Sequence, residues 1–168
     1  MKAGIRDYSS EIDVSPLQAL AAMFDAHGWP CEIHSDEELI GEIQGSWAKY
    51  QIRCVWRTED HVLQLLCLPE IRVSPEKHMA AIELLSLINE QLWLGHFEIW
   101  SSGSVLLYRN GQMLGEDGLL SLTQARTMVE TALDECDRFY PAFQFVLWGD
   151  KTPADALQSA LIDAAGEA

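Results

Sequence analysis

Five histidines and four cysteines are the residues of this chain whose types suit metal or thiol chemistry. His27, His34, His61, His78 and His96 share no HExxH or HxxxH spacing, and none stands beside a cysteine pair. Zinc sites need several donors converging at short, recurrent spacings. Glu32 and His34 lie two apart and would point the same way on an extended chain, but no third ligand accompanies them. Cys31, Cys54, Cys67 and Cys136 form no CxxC pair and read as reduced, largely buried thiols of a cytosolic protein. A nucleophilic thiolate needs a cationic neighbour, whereas Cys54 and Cys67 fall at strand positions that favour a small buried side chain. The nearest approach to a GxSxG elbow, Ser101-Ser102-Gly103-Ser104, suits a hairpin turn better. The glycine-rich stretch 111–118 lacks the lysine and hydroxyl of a phosphate loop, and places Glu116 and Asp117 where phosphate would sit. It reads as a mobile connection. Neighbouring acids such as Glu37/Glu38 need not converge on one atom, and paired acids at work are recognised by geometry that a sequence does not display. The residues thus point to no catalytic site, no metal and no cofactor.

The elements that position these residues are well punctuated. Ser15-Pro16, Ser74-Pro75 and Thr152-Pro153 each place a hydroxyl at a helix N-cap and proline at the first helical position. Ser121 with Gln124 fits a capping box. Gly28, Gly95, Gly149 and Gly166 supply stop signals. Helices are expected at 16–28, 75–94, 122–148 and 153–165, the second presenting Met79, Ile82, Leu85, Ile88 and Leu92 as its apolar face. Between the first two helices the period falls to two: Leu39, Gly41 and Ile43 alternate with polar neighbours, as do Tyr50, Ile52, Cys54 and Trp56. The run 62–68 is more continuously apolar, as in a central strand. Segments 96–101 and 104–109 flank Ser102-Gly103 as a hairpin. The order α-β-β-β-α-β-β-α-α predicts an α+β domain, with an antiparallel sheet of about five strands and helices packed mainly on one face. Residues 1–14 read as a loose terminal segment and 15–168 as a single domain.

The stretch "DECDRFYPAFQFVLWGDKTP" interrupts this regularity with a proline. Val129, Leu133, Cys136, Tyr140, Phe143 and Leu147 nevertheless keep a helical phase across Pro141, where a strand would have imposed a period of two. One helix, kinked at Pro141, is expected, with Asp137 and Arg138 as exposed charges. Of the six tryptophans, Trp56 falls on the core face of its strand. If Phe97 and Ile99 face the helices, Trp100 lies on the sheet's other face, where Leu106 and Tyr108 are assigned as its neighbours. Such a face must be covered, either by a subunit contact or by local loops and the N-terminal segment.

The chain has 168 residues, a formal net charge of −15 and 48% hydrophobic content. That length suits one domain with a real core. The charge disfavours nucleic acid, which needs a basic footprint, and anionic membranes; it also serves solubility. The start, MKAGIRDYSSEIDVSP, has no apolar secretory region, and no apolar run approaches a bilayer span, so a cytoplasmic address is expected.

"LINEQLWLGHFEIWSSGSVLLYRN", followed by "LDECDRFYPAFQFVLWGDKTPADAL", resembles the YbjN family of bacterial proteins over about Val62 to Ala165. The resemblance rests on Asn89, Gly95 and Phe97, on Leu107-Tyr108-Arg109, and on Asp137, Tyr140 and Pro141. It implies a fold similar to type III secretion chaperones and a sensory-transduction regulator, dimeric, without cofactor and without catalytic residues. The leading expectation is therefore a non-enzymatic, cytosolic protein-binding module. It would hold another protein, through a basic or amphipathic segment, with Trp100, Leu106 and Tyr108 as contact residues. The alternative is a small-molecule sensor or an enzyme with a pocket near His96, Glu98 and Arg109. Acidic mimicry of nucleic acid has only the net charge behind it and ranks last.

Overall fold

The computed structural model describes residues 15–166. The segment read as a loose terminus, 1–14, lies outside the described residues. The chain runs α1 (Pro16–Ala26), β1 (Cys31–Ser35), β2 (Glu38–Gln44), β3 (Lys49–Arg57), β4 (Val62–Leu68), a 3-10 turn at Pro75–Lys77, α2 (His78–Asn89), β5 (His96–Trp100), β6 (Val105–Met113), α3 (Leu122–Leu147) and α4 (Pro153–Gly166). The fold is α+β, as expected, with one more strand than the sequence patterns suggest. The six strands are ordered β1-β2-β3-β4-β6-β5, and every pair is antiparallel.

The helix starts form for the reasons their residues give. The Ser15 hydroxyl accepts the Leu17 N–H at 3.2 Å, and Ser121 and Gln124 complete a capping box. Thr152 Oγ1 accepts the Asp155 N–H at 3.3 Å. Ser74 differs: its side chain makes no capping bond, because the turn there is 3-10 and closes on the backbone, Lys77 N–H to the Ser74 carbonyl at 3.1 Å. Gly95 takes φ +69°, and a Cβ there would meet the Tyr108 hydroxyl at 2.4 Å, so the chain leaving α2 requires glycine.

α1 contacts β1, β2 and β3; α3 contacts β4 and β6; α2 contacts β5, and α4 packs on α2 and α3. All four helices thereby share one side of the sheet. Facing them are Leu39 and Ile43, then Tyr50, Ile52, Cys54 and Trp56, then Leu63, Leu65 and Cys67, all buried. Gly41 belongs to this face because the Phe24 ring of α1 lies where a Cβ would project, 2.3 Å away.

α3 is continuous from Leu122 to Leu147 with Pro141 inside it and buried. Cys136, Tyr140, Phe143 and Leu147 are buried along the expected stripe, so the segment after the proline is helix and not strand. Proline removes a helix hydrogen bond at a cost of about 3 kcal/mol. Burial of the aromatic half offsets it: the Phe97 ring of β5 meets Phe139 and Phe143 edge-on at 6.0 and 5.3 Å.

Candidate protein-binding surface

The sequence named Trp100, Leu106 and Tyr108 as contact residues on the free sheet face. Trp100 is there, half-buried, directly opposite Val105. Leu106 and Tyr108 are not. Residues directly opposed in an antiparallel pair share a face and the next pair points the other way. With Trp100 opposite Val105, Leu106 therefore joins Ile99 and Tyr108 joins Phe97 on the helix side. Both are buried in the core, and Tyr108 donates from its hydroxyl to the Leu94 carbonyl at 2.8 Å. Burial pushes the Tyr108 phenol well above its ordinary range. The neighbours of Trp100 on the free face are Val105, Leu107 and Arg109 from β6, and His96 and Glu98 from its own strand.

Glu98 is the hub of that face. Its Oε1 accepts from Trp100 Nε1 at 2.5 Å and forms an ion pair with Arg109 Nη2 at 3.0 Å, and its Oε2 lies 3.0 Å from His96 Nε2. The Arg109 guanidinium sits 5.9 Å from the Trp100 ring centroid. Desolvation would raise the Glu98 carboxyl, but the hydrogen bonds from His96 and Trp100 and the Arg109 charge outweigh it and hold it below its ordinary range. His96, Glu98 and Arg109 thus come together on the open sheet face. Both carboxylate oxygens are already committed, so Glu98 is not poised as a general base. Leu107, opposite Glu98, and Leu66, opposite Arg109, are buried beside this polar layer.

Asp137 is not the exposed charge expected from the helix pattern. Its carboxylate accepts the Ser46 backbone N–H at 3.0 Å on both oxygens and the Tyr50 hydroxyl at 2.5 Å. It thereby fastens the β2–β3 turn to α3. Gly45 is needed in that turn, since a Cβ would lie 2.2 Å from the Tyr50 ring. Burial, then the bond to Asp137, pushes the Tyr50 phenol far up. Arg138 is exposed, as expected, with Glu135 at 3.6 Å. Asn89 makes a second fastening: its amide donates to the Phe97 carbonyl at 3.0 Å and accepts the Phe97 N–H at 2.8 Å. The outward backbone groups of edge strand β5 are satisfied at that point by a side chain. Asn89, Gly95, Phe97, Asp137 and Tyr140 are therefore architectural residues.

Three features remain that bear on ligands. A cleft of about 510 Å³ is lined by Asp36, Glu37, Glu116 and Asp117, with Trp56 and His61 among its walls. Among the described residues, no three His, Cys, Asp or Glu side chains are placed to hold a metal ion. Cys67 and Cys136 are buried with sulfurs 3.5 Å apart, and burial, then the bond to Cys67, pushes the Cys136 thiol up. Neither sulfur has the cationic setting of a nucleophile. The stretch 111–118, read as a connection, is strand as far as Met113, which pairs with Val62.

The feature that sequence reasoning missed is on α2. Of the residues assigned to its apolar face, Leu85 and Ile88 are buried as expected and Leu92 is half-buried, but Met79 and Ile82 are exposed, and Ala81 and Leu84 are buried in their place. Helical phase alone admitted both choices, because apolar residues occur all round this helix. Trp93, just past it, is wholly exposed. Trp47 and Trp148 are more than half exposed and flank Tyr140, each at 6.4 Å between centroids.

No curated protein matches the chain. Among solved structures, it is similar to the crystal structure of YbjN, described as "a putative transcription regulator from E. coli", with a TM-score of 0.53 and 11% identity. The alignment covers 90% of this chain and 93% of that one, and identity so low bears on fold alone. The family described as "Putative bacterial sensory transduction regulator" matches residues 16–145, taking in α1 and the first strands as well as the fastening residues Asn89 and Asp137. The chain belongs to the YbjN family.

Proposed function

We propose that this protein is a non-enzymatic regulator that works by binding another protein, in the cytoplasm and as a homodimer. The observation that carries the reading is the contrast between satisfied polar groups and unsatisfied apolar ones. Glu98 and Asp137 spend their oxygens on internal partners. Trp93, Met79, Trp148 and Trp47 meanwhile stand exposed on a chain of net charge −15. Exposed aromatic side chains favour recognition surfaces, and the charge selects for basic or amphipathic partners. Trp100 stays in the proposal as a contact residue of the free sheet face, while Leu106 and Tyr108, being buried, do not. No helix among the described residues is long and apolar enough to cross a membrane.

The test is cross-linking followed by affinity capture at endogenous levels, with sedimentation to establish mass. A dimer that retains a defined partner supports the reading; a monomer that retains none overturns it. A second reading has one observation in its favour, the cleft of about 510 Å³ with its carboxylates and the Trp56 wall. That chemistry suits a small organic cation. A thermal-shift series with polyamines and amino-acid amides decides it, because specific, saturable stabilisation is expected only if the cleft is a site.

A further inference from the structure

We infer that the outer face of α2 is a docking surface for a basic amphipathic helix of a partner protein. The inference rests on the protein-binding reading above and specifies its surface and partner chemistry. α2 buries Ala81, Leu84, Leu85 and Ile88. At about 100° per residue, Met79 and Ser86 point away from that buried side, and Ile82 lies to one flank of them. Met79 is 75% exposed and Ile82 43%. Trp93, in the bend that follows the helix, is 98% exposed. An indole with no burial gains nothing from the fold that displays it. Leaving the three residues uncovered forgoes the gain that removing their remaining apolar surface from water would bring.

Charge identifies the occupant. Glu83 and Glu90, seven residues apart within α2 and at its C-cap, fall on one flank of Met79 and Ile82, and Glu76 stands in the 3-10 turn just before the helix. All three are exposed, and among the described residues none makes a salt bridge. A second copy of this chain docked across a two-fold axis would set one acid row against the other, an arrangement that like charges disfavour. A helix with apolar residues every three or four positions and lysine or arginine along its edge satisfies both features. Its apolar side covers Met79, Ile82 and Trp93, and its cations meet the glutamates as edge charges do in coiled coils. α2 itself extends roughly 18 Å at 1.5 Å per residue, so about three turns of partner helix match it.

The probe is a fluorescein-labelled peptide of about five turns, with leucine at the a and d positions and lysine at e and g. Its controls are the same composition scrambled and the same pattern with glutamate for lysine. Fluorescence anisotropy against the full chain is expected to show saturable binding of the patterned lysine peptide alone. The pair M79S/W93A is expected to weaken it at least tenfold with Tm unchanged, since both side chains are exposed. The triple variant E76K/E83K/E90K is expected to lose the lysine peptide and bind the glutamate one. Equal binding of the scrambled peptide, or unchanged binding by both variants, overturns the inference. So does a wild-type dimer in sedimentation that W93A converts to monomer, which would make a second copy the occupant. Cross-linked capture keeps the two readings apart. If M79S/W93A retains the same partner as wild type, protein binding stands and this surface falls. If wild type captures nothing while the peptide binds as described, the protein-binding reading has failed and the α2 chemistry has not.

Discussion

On the helix-covered side of the sheet, the Phe97 ring meets Tyr108, Phe139 and Phe143 edge-on at 5.4, 6.0 and 5.3 Å, with no polar atom needed at the contact. On the opposite side, one residue further along the same strand, Glu98 collects Trp100 and His96 by hydrogen bonds and Arg109 by an ion pair. The first side is cemented by area removed from water and by ring geometry, so salt does not screen it and no group in it titrates near neutral pH. The second is held by charge at partial exposure, where solvent screens each pair to a small net value. Adjacent residues of one short strand thus serve different ends. Phe97 fixes where the strand lies, and Glu98 decides what the sheet shows to solvent.

This contrast is most directly broken at Phe97. Phe97→Ala removes a buried ring from between β6 and α3, and a loss of about 3–5 kcal/mol is expected in urea or guanidinium unfolding. A loss under 1 kcal/mol would mean that the aromatic cluster does not anchor α3. Asp137→Ala comes next. It strips the β2–β3 turn of its N–H partner and leaves the Tyr50 hydroxyl unpaired in the core, at an expected cost of about 2–3 kcal/mol. Asp137→Asn, which keeps an acceptor, should recover part of that loss. On the open face, Arg109→Ala is expected to cost only about 1 kcal/mol, and less at high salt, because its partner Glu98 remains partly hydrated. A cost approaching that of Phe97→Ala would erase the distinction between the two sides.

The sequence made much of the helix-side architecture legible because periodicity there reports burial directly. The capping hydroxyls, the two-residue alternation through Tyr50 and Trp56, and the unbroken phase across Pro141 each have a local cause that needs no tertiary knowledge. β1 escaped notice because its residues from Glu32 to Ser35 are all exposed and carry no apolar alternation. Leu106 and Tyr108 were placed on the wrong side by a parity error of one residue, which in a strand exchanges every side chain between faces. Asp137 looked like a helix charge because its partners Ser46 and Tyr50 lie about ninety residues away in sequence, and long-range pairing leaves no periodic trace. The candidate docking face of α2 was hidden for another reason. Met79 and Leu85 are equally apolar, and only the positions of α3, α4 and β5 decide which of them is covered. The seven-residue recurrence of Glu76, Glu83 and Glu90 was the available signal, since a row of carboxylates marks the solvent side of a helix.

The smallest effect sharpens the comparison by its sign. Glu98 is held below its ordinary carboxyl range, with hydrogen bonds and the Arg109 charge outweighing desolvation. A carboxyl whose folded pKa is depressed contributes stability above its unfolded pKa, near 4.5, and loses that contribution as pH falls through the folded value. Glu135 on α3 has the opposite shift: burial raises it, Arg138 lowers it less, and Asp134 adds to the rise. Its ionised form therefore disfavours the folded state at neutral pH, a penalty that acidification removes. Glu98→Gln should consequently lower Tm at pH 7, with the deficit shrinking as pH falls through the depressed Glu98 pKa. Glu135→Gln should raise Tm slightly at pH 7, with the gain vanishing as pH falls below about 4.5. Thermal melts of both variants and wild type across pH 3–8 provide the measurement. Parallel curves for the two substitutions would mean that the open-face carboxylate is no better partnered than the one on α3, and the polar layer around Glu98 would then not stabilise the fold at all.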